Sequence, residues 1–197
     1  WWINLPLAVL ASAAFGAAWA FIPAILQAKR GSHVVITTIM FNFIATALMV
    51  YLIVNVLRPA QTMQPETRRF LEGGQLPKLG PLFDWFGASM GGAPLNVSFF
   101  VALAAAFLVW VLIWRTRLGY EIRSFGRSER AARYAGISPV RITVVAMLIS
   151  GALAGLMAVN NVMGEAERLV LNAVEGAGFI GIAVALMGRN HPLGVLL

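Results

Sequence analysis

The chemistry this sequence offers is concentrated in one run, Arg115 to Arg141, which reads RTRLGYEIRSFGRSERAARYAGISPVR and holds seven arginines against two glutamates, Glu121 and Glu129. A guanidinium stays charged at any physiological pH and presents its donors in a planar fork, so a cluster of them binds carboxylates, carbonyls or phosphates. Within the run, Ser128 to Ala135 reads as a short polar helix. Ser128 is a good N-cap, and Gly136 suits the left-handed position just past a helix end. Arg127, Arg130 and Arg133 are the donors such a helix would offer a partner. A second polar set lies in apolar surroundings. Thr38 and Asn42 are four apart, with Thr37 adjacent, so on a helix they share a face. An amide in hydrocarbon has to face protein or water. Two readings stay open: interhelical hydrogen bonds, or groups lining the path of a polar substrate. Phe15 and Trp19 offer stacking surfaces, or contacts with lipid and core. Asn160, Asn161 and Glu165 fall late in another apolar stretch, and Glu175 opens the last one.

Other chemistries lack their residues. The two histidines, His33 and His191, are far apart in sequence and suggest no metal site. The chain has no cysteine, which excludes disulfides and thiolate metal sites. There is no phosphate-binding glycine loop and no Ser/His/Asp set in a recognisable motif. The expectation is therefore no catalysis and no cofactor bound by this chain. Few charges fall in mid-span, which opposes an ion-coupled secondary transporter.

The elements that must position these residues are membrane spans. Hydrophobic residues make up 59% of the 197 and charged residues 12%, against about half and about a quarter in soluble domains; mean hydropathy is +0.79. A helix needs about 20 apolar residues to cross the hydrocarbon core. Four segments qualify: Leu5–Ala28, Val34–Leu57, Leu95–Trp114 and Ile142–Asn161. A fifth, Ala173–Gly188, is short and glycine-rich. The fold class expected is all-α, a polytopic transmembrane bundle of four full spans plus a short or re-entrant fifth. Small residues spaced by four, where helices in lipid approach closely, occur at Ser12, Gly16, Ala20 and Ala24, at Gly151 and Gly155, and at Ala177, Gly181 and Ala185.

The net charge of +7 follows membrane topology better than nucleic-acid binding, because the basic residues flank the spans. With Arg115–Arg141 placed inside, Lys29, Arg30 and Arg189 join its seven arginines, giving ten; Arg58, Arg68, Arg69, Lys78 and Arg168, five, fall outside. The positive-inside rule selects this orientation. The outer loop 58–93 is proline- and glycine-rich and mostly irregular, and its 82–86 stretch is a candidate for lying on the membrane surface or docking a partner.

Four segments in series carry a resemblance: VITTIMFNFIA (35–45), GRSERAARYAGI (126–137), SGALAGLMA (150–158) and GAGFIGIAVALMGRNHPLG (176–194). Together they resemble the ABC importer permeases, specifically the sugar and nucleoside branch, with branched-chain amino acid permeases as the nearest rival. The chain departs from that pattern at His33, where an acid is usual, and at Ser128, where asparagine is usual. The resemblance implies one transmembrane permease domain, 1–197, truncated at both ends. It implies a coupling helix formed by Arg127, Ser128, Glu129, Arg130, Ala131, Ala132, Arg133, Tyr134 and Gly136, docking on a cytoplasmic ATPase that binds the ATP and Mg. Two ATPase subunits, a second permease subunit, an extracytoplasmic solute-binding protein and membrane lipid are the implied partners, with no nucleic acid, in the bacterial inner membrane.

Overall fold

The computed structural model describes residues 3–57, 59, 65–71, 74–78, 95–171 and 176–196. Among them the regular structure is helical, and the only β-type pairings are two isolated bridges, Glu66 with Val170 and Lys78 with Asn96. Helix α1 spans Asn4–Arg30 and ends at Gly31, whose φ of 65° and N–H bond to the Gln27 carbonyl close the last turn. Helix α2 spans Val34–Leu52 and continues as a π-helical turn, Ile53–Leu57. Helix α3 spans Ser98–Arg115, α4 Arg117–Arg127, α5 Glu129–Tyr134 and α6 Pro139–Ala158, the last followed by a π-helical segment, Val159–Glu165. Helix α7, Ala177–Met187, and the short α8, Pro192–Leu196, complete the chain. Four of these units, Asn4–Arg30, Val34–Leu57, Ser98–Arg115 and Pro139–Glu165, are long and apolar enough to cross a membrane.

The first, second and fourth spans agree closely with the apolar runs. The third begins at Ser98 rather than Leu95, because Asn96 is drawn into a polar cluster instead of a helical turn. The fifth segment is shorter than the apolar run suggests. Its 11 helical residues reach about 16 Å, roughly half the hydrocarbon core. The chain then turns at Gly188–Asn190, with Arg189 and Asn190 both left-handed, and enters α8. Gly188 and Gly194 touch backbone to backbone across that turn, so a Cβ on either would overlap the other.

The core of the bundle is the α1–α6 crossing. A Cβ on Gly155 would overlap the Ser12 carbonyl, one on Gly151 the Ala20 side chain, and one on Gly16 the Gly151 carbonyl. The small-residue stripes of the two spans therefore meet, and the backbones approach as closely as helices in lipid can. The third stripe behaves differently: its Gly181 has nothing within 4 Å, nor does neighbouring Gly178, and Phe179, Ile182 and Met187 of α7 are exposed.

Pairing Ser12 with Gly155 and Ala20 with Gly151 makes α1 and α6 antiparallel. Contacts between Ser98 and Asn160 set α3 antiparallel to α6 as well. Lys29, Arg30, Arg115 and Arg141 consequently share one end of the bundle, and the Trp114–His191 ring contact, centroids 6.1 Å apart, brings the Arg189 turn there too. At the opposite end, residues 65–71 and 74–78 lie along the segment that follows α6. Thr67 N–H donates to Leu169 O at 3.1 Å, Phe70 N–H to Glu167 O at 2.8 Å and Leu76 N–H to Met163 O at 3.1 Å. Arg168 pairs with Glu66 and Lys78 with Glu167. Part of the 58–93 loop is thus strapped to the bundle. The 82–86 stretch lies outside the described residues.

Candidate functional site

Two constructions occupy the two ends. At the basic end, α3 stops at Thr116, whose Oγ1 accepts the Gly119 N–H at 3.1 Å and so caps α4. Gly119 presses on the Leu112 and Ile113 carbonyls where no Cβ fits, so the chain folds back sharply there. The Arg123 guanidinium lies over the Trp114 ring, 4.6 Å from its centroid, tying α4 to the end of α3 by a cation–π contact. Helix α5 follows directly. Ser128 is its N-cap, accepting the Ala131 N–H at 3.3 Å. At the other end Gly136, φ 78°, donates to Arg133 O, and Ile137 N–H donates to Ala132 O, each at 3.0 Å. That is the paired bonding of a Schellman end, which satisfies carbonyls the helix would leave bare. Ser138 then caps α6, with Pro139 in its first turn.

Anchored this way, α5 buries Ala132 and presents its remaining residues outward. Tyr134 is 94% exposed. Glu129 and Arg133 pair with each other four residues apart; Arg127 and Arg130 make no ion pair among the described residues. A recess of about 250 Å³ beside the helix end is bordered by Arg117, Tyr120, Glu121, Gly136 and Arg141. Such a short, doubly capped helix displays two guanidinium groups and a tyrosine, which have the donors to bind carbonyls and carboxylates. The sequence located both caps; it missed α4, whose glycines and charges hide its helical pattern.

At the opposite end, α3 approaches the tail of α6 through a polar cluster. Ser98 Oγ lies against Asn160 Oδ1 at 2.6 Å and against Asn96 Oδ1. Asn96 Nδ2 donates to Asn160 Oδ1 at 3.3 Å, and Ser98 N–H to Asn96 Oδ1 at 3.1 Å. Asn96 is only 3% exposed. The π-helical segment closes over it at Gly164, where a Cβ would overlap Asn96 Nδ2. Beside this cluster the two spans part and leave an open cleft of about 560 Å³, lined by the cluster and by Phe99, Ala102, Ala105, Leu153, Leu156 and Met157. Asn160 was visible in the sequence as a polar residue late in a span. Asn96 and Ser98 were not singled out, because they fall at the head of an apolar run.

The residues expected to line a substrate path are placed elsewhere. Thr38 and Asn42 are exposed on α2. The Thr38 hydroxyl donates back to its own helix, at Val34 O and Val35 O. Phe15 is 78% exposed on α1. Trp19 stands edge-on to Phe41, centroids 6.0 Å apart, and borders a small apolar cavity of about 210 Å³ with Leu48 and Leu169. Glu175 lies outside the described residues.

The family model for the permease component of branched-chain amino acid transport systems matches residues 1–197. The chain belongs to this family. The guanosine ABC transporter permease protein NupP of Bacillus subtilis is 40% identical over the whole of this chain and 54% of its own length. The nucleoside ABC transporter permease protein NupB of Lactococcus lactis is 34% identical over 98% of this chain and 53% of its own length. The glucose ABC transporter permease protein TsgB13 of Haloferax volcanii is 34% identical over 98% of the chain and 51% of its own length. The chain thus spans about half the length of the curated relatives it matches. No solved structure matches it. With four helices able to cross a bilayer and these relatives, it is a multi-pass membrane protein of the permease kind.

Proposed function

We propose that this chain is part of the transmembrane permease subunit of an ATP-driven importer, resident in the bacterial inner membrane, that moves nucleosides or simple sugars into the cell. It works with cytoplasmic ATPase subunits that bind the ATP and Mg, with a second permease subunit and with an extracytoplasmic solute-binding protein. This chain itself performs no catalysis. The observation that carries the reading is α5, capped at both ends and set at the basic end of the bundle with Arg127, Arg130 and Tyr134 turned outward. A helix held by hydrogen bonds at both ends transmits force as a rigid body. Through α4 and the Arg123–Trp114 contact it is joined to the foot of α3, and through Ser138 to the foot of α6. Closure of an ATPase gripping α5 would therefore move two spans together.

The substrate class is supported by the names of relatives at 34–40% identity, guanosine, nucleoside and glucose permeases. Thr38 and Asn42 on α2, with Phe15, Trp19 and Glu175, are proposed to meet the substrate elsewhere along its path. The test is ATP-dependent uptake into proteoliposomes holding the complete transporter, with labelled guanosine, ribose and leucine offered separately. Uptake of guanosine or ribose is expected; uptake of leucine alone would move the chain to the amino acid branch.

A further inference from the structure

The cavity between α3 and α6 has the build of a ligand site. Its volume, about 560 Å³, falls inside the roughly 300–1,000 Å³ of small-molecule pockets. Room for it comes from α3, where Ser98, Ala102 and Ala105 fall on one face and present only small side chains. The facing wall is Leu153 and Leu156 of α6 with Asn160 of the π-helical segment that follows it. Apolar walls with polar groups gathered at one end are what fixes a ring in one orientation.

The polar end also has capacity to spare. Ser98 Oγ, Ser98 N–H and Asn96 Nδ2 point at two carboxamide oxygens, which between them offer about four lone pairs. One hydroxyl hydrogen reaches one of these oxygens at a time. An acceptor position therefore remains, and Asn160 Nδ2, which donates one hydrogen to Asn161 Oδ1 at 3.5 Å, carries a second. A ligand hydroxyl, which both donates and accepts, matches that arrangement. The lining contains no ionisable residue. A zwitterion entering it would give up the hydration of two charges with no opposite charge in return, which low-dielectric surroundings penalise heavily.

We propose that this cleft binds a neutral ring bearing neighbouring hydroxyls, the chemistry shared by nucleosides and simple sugars, with the hydroxyls on Ser98 and Asn160, both held in place by the buried Asn96, and the ring against Phe99. The site rests on the permease reading above and sharpens it by excluding free amino acids.

These 197 residues hold no cysteine, so in a complete transporter cleared of any other cysteines a single thiol reports on the cleft wall. Ala105→Cys, and Ala102→Cys as a second reporter, are placed in the complete transporter in membrane vesicles and treated with methyl methanethiosulfonate, which is small and uncharged. Guanosine, ribose and leucine are the protecting ligands tried. Several-fold slower modification with guanosine identifies a nucleoside site, and with ribose a sugar site; leucine should leave the rate unchanged. Protection by leucine, or no protection by any ligand while guanosine or ribose uptake proceeds, overturns the site and leaves the permease reading standing. Failure of ATP-driven guanosine and ribose uptake in the unmodified transporter overturns both.

Discussion

Gly155 is where a single side-chain atom has most effect. Its backbone lies on the Ser12 carbonyl of the facing helix, and any Cβ there would have to part α1 from α6. Gly155→Val is expected to lower stability by about 1–3 kcal/mol, the range for overpacking a tight contact. Gly178→Ala is the contrast. Nothing lies within 4 Å of it, and removing a helical glycine favours the helix by roughly 0.5–1 kcal/mol, so this variant should be neutral or slightly more stable. Thermal unfolding in detergent compares the two; equal effects would mean that the α1–α6 crossing is looser than described. The sequence disclosed the Gly16, Gly151 and Gly155 contacts because small residues at intervals of four leave a visible stripe. It did not disclose Asn96 and Ser98. Their partnership with Asn160 spans 62 to 64 positions along the chain, and no local spacing reports such a contact.

The elements differ in how much of them local rules determine. Helix α5 is set by its own caps, and for that reason Ser128 and Gly136 marked both its ends in the sequence. Helix α4 is held by what surrounds it, Thr116 below and Trp114 beside Arg123, and its local pattern marks it only weakly. The same distinction governs mutational effects on α5. Ser128→Ala removes a cap worth about 0.5–2 kcal/mol. Gly136→Val forces a β-branched residue to a φ of 78°, at a cost of about 1–3 kcal/mol. Open space surrounds Gly136, so that cost is purely conformational, and Gly136→Asn, which tolerates the left-handed region, should recover most of it. Arg130→Glu leaves the helix intact and reverses the charge it offers. Gly136→Val and Arg130→Glu are both expected to insert normally and to lose ATPase co-purification, transport or both, with Gly136→Asn rescuing only the first. Wild-type association in all three would show that α5 is not the docking element.

For the whole molecule the decisive quantity is the distribution of charge between its ends. The antiparallel α1–α6 and α3–α6 pairings gather Lys29, Arg30, the seven arginines of 115–141 and Arg189 at one end, ten cations in all. At the other end are Arg68, Arg69, Lys78 and Arg168, with Lys78 and Arg168 already paired to Glu167 and Glu66. If cations are retained on the cytoplasmic side during insertion, α4 and α5 are expected inside and the 65–71 and 74–78 segments outside. Two exposed positions test this without disturbing either construction. Leu71 is 88% exposed beside the strap, and Gly126 is exposed near the end of α4 with no neighbour within 4 Å. These 197 residues hold no cysteine, so in a transporter cleared of any other cysteines Leu71→Cys and Gly126→Cys each give a single labelling site. In intact cells a membrane-impermeant maleimide should modify Leu71→Cys and reach Gly126→Cys only after permeabilisation. The reverse pattern would put α5 outside the cell, where no ATP-driven partner could grip it. The bundle would keep its packing, but the coupling role of Arg127, Arg130 and Tyr134 would have to be abandoned.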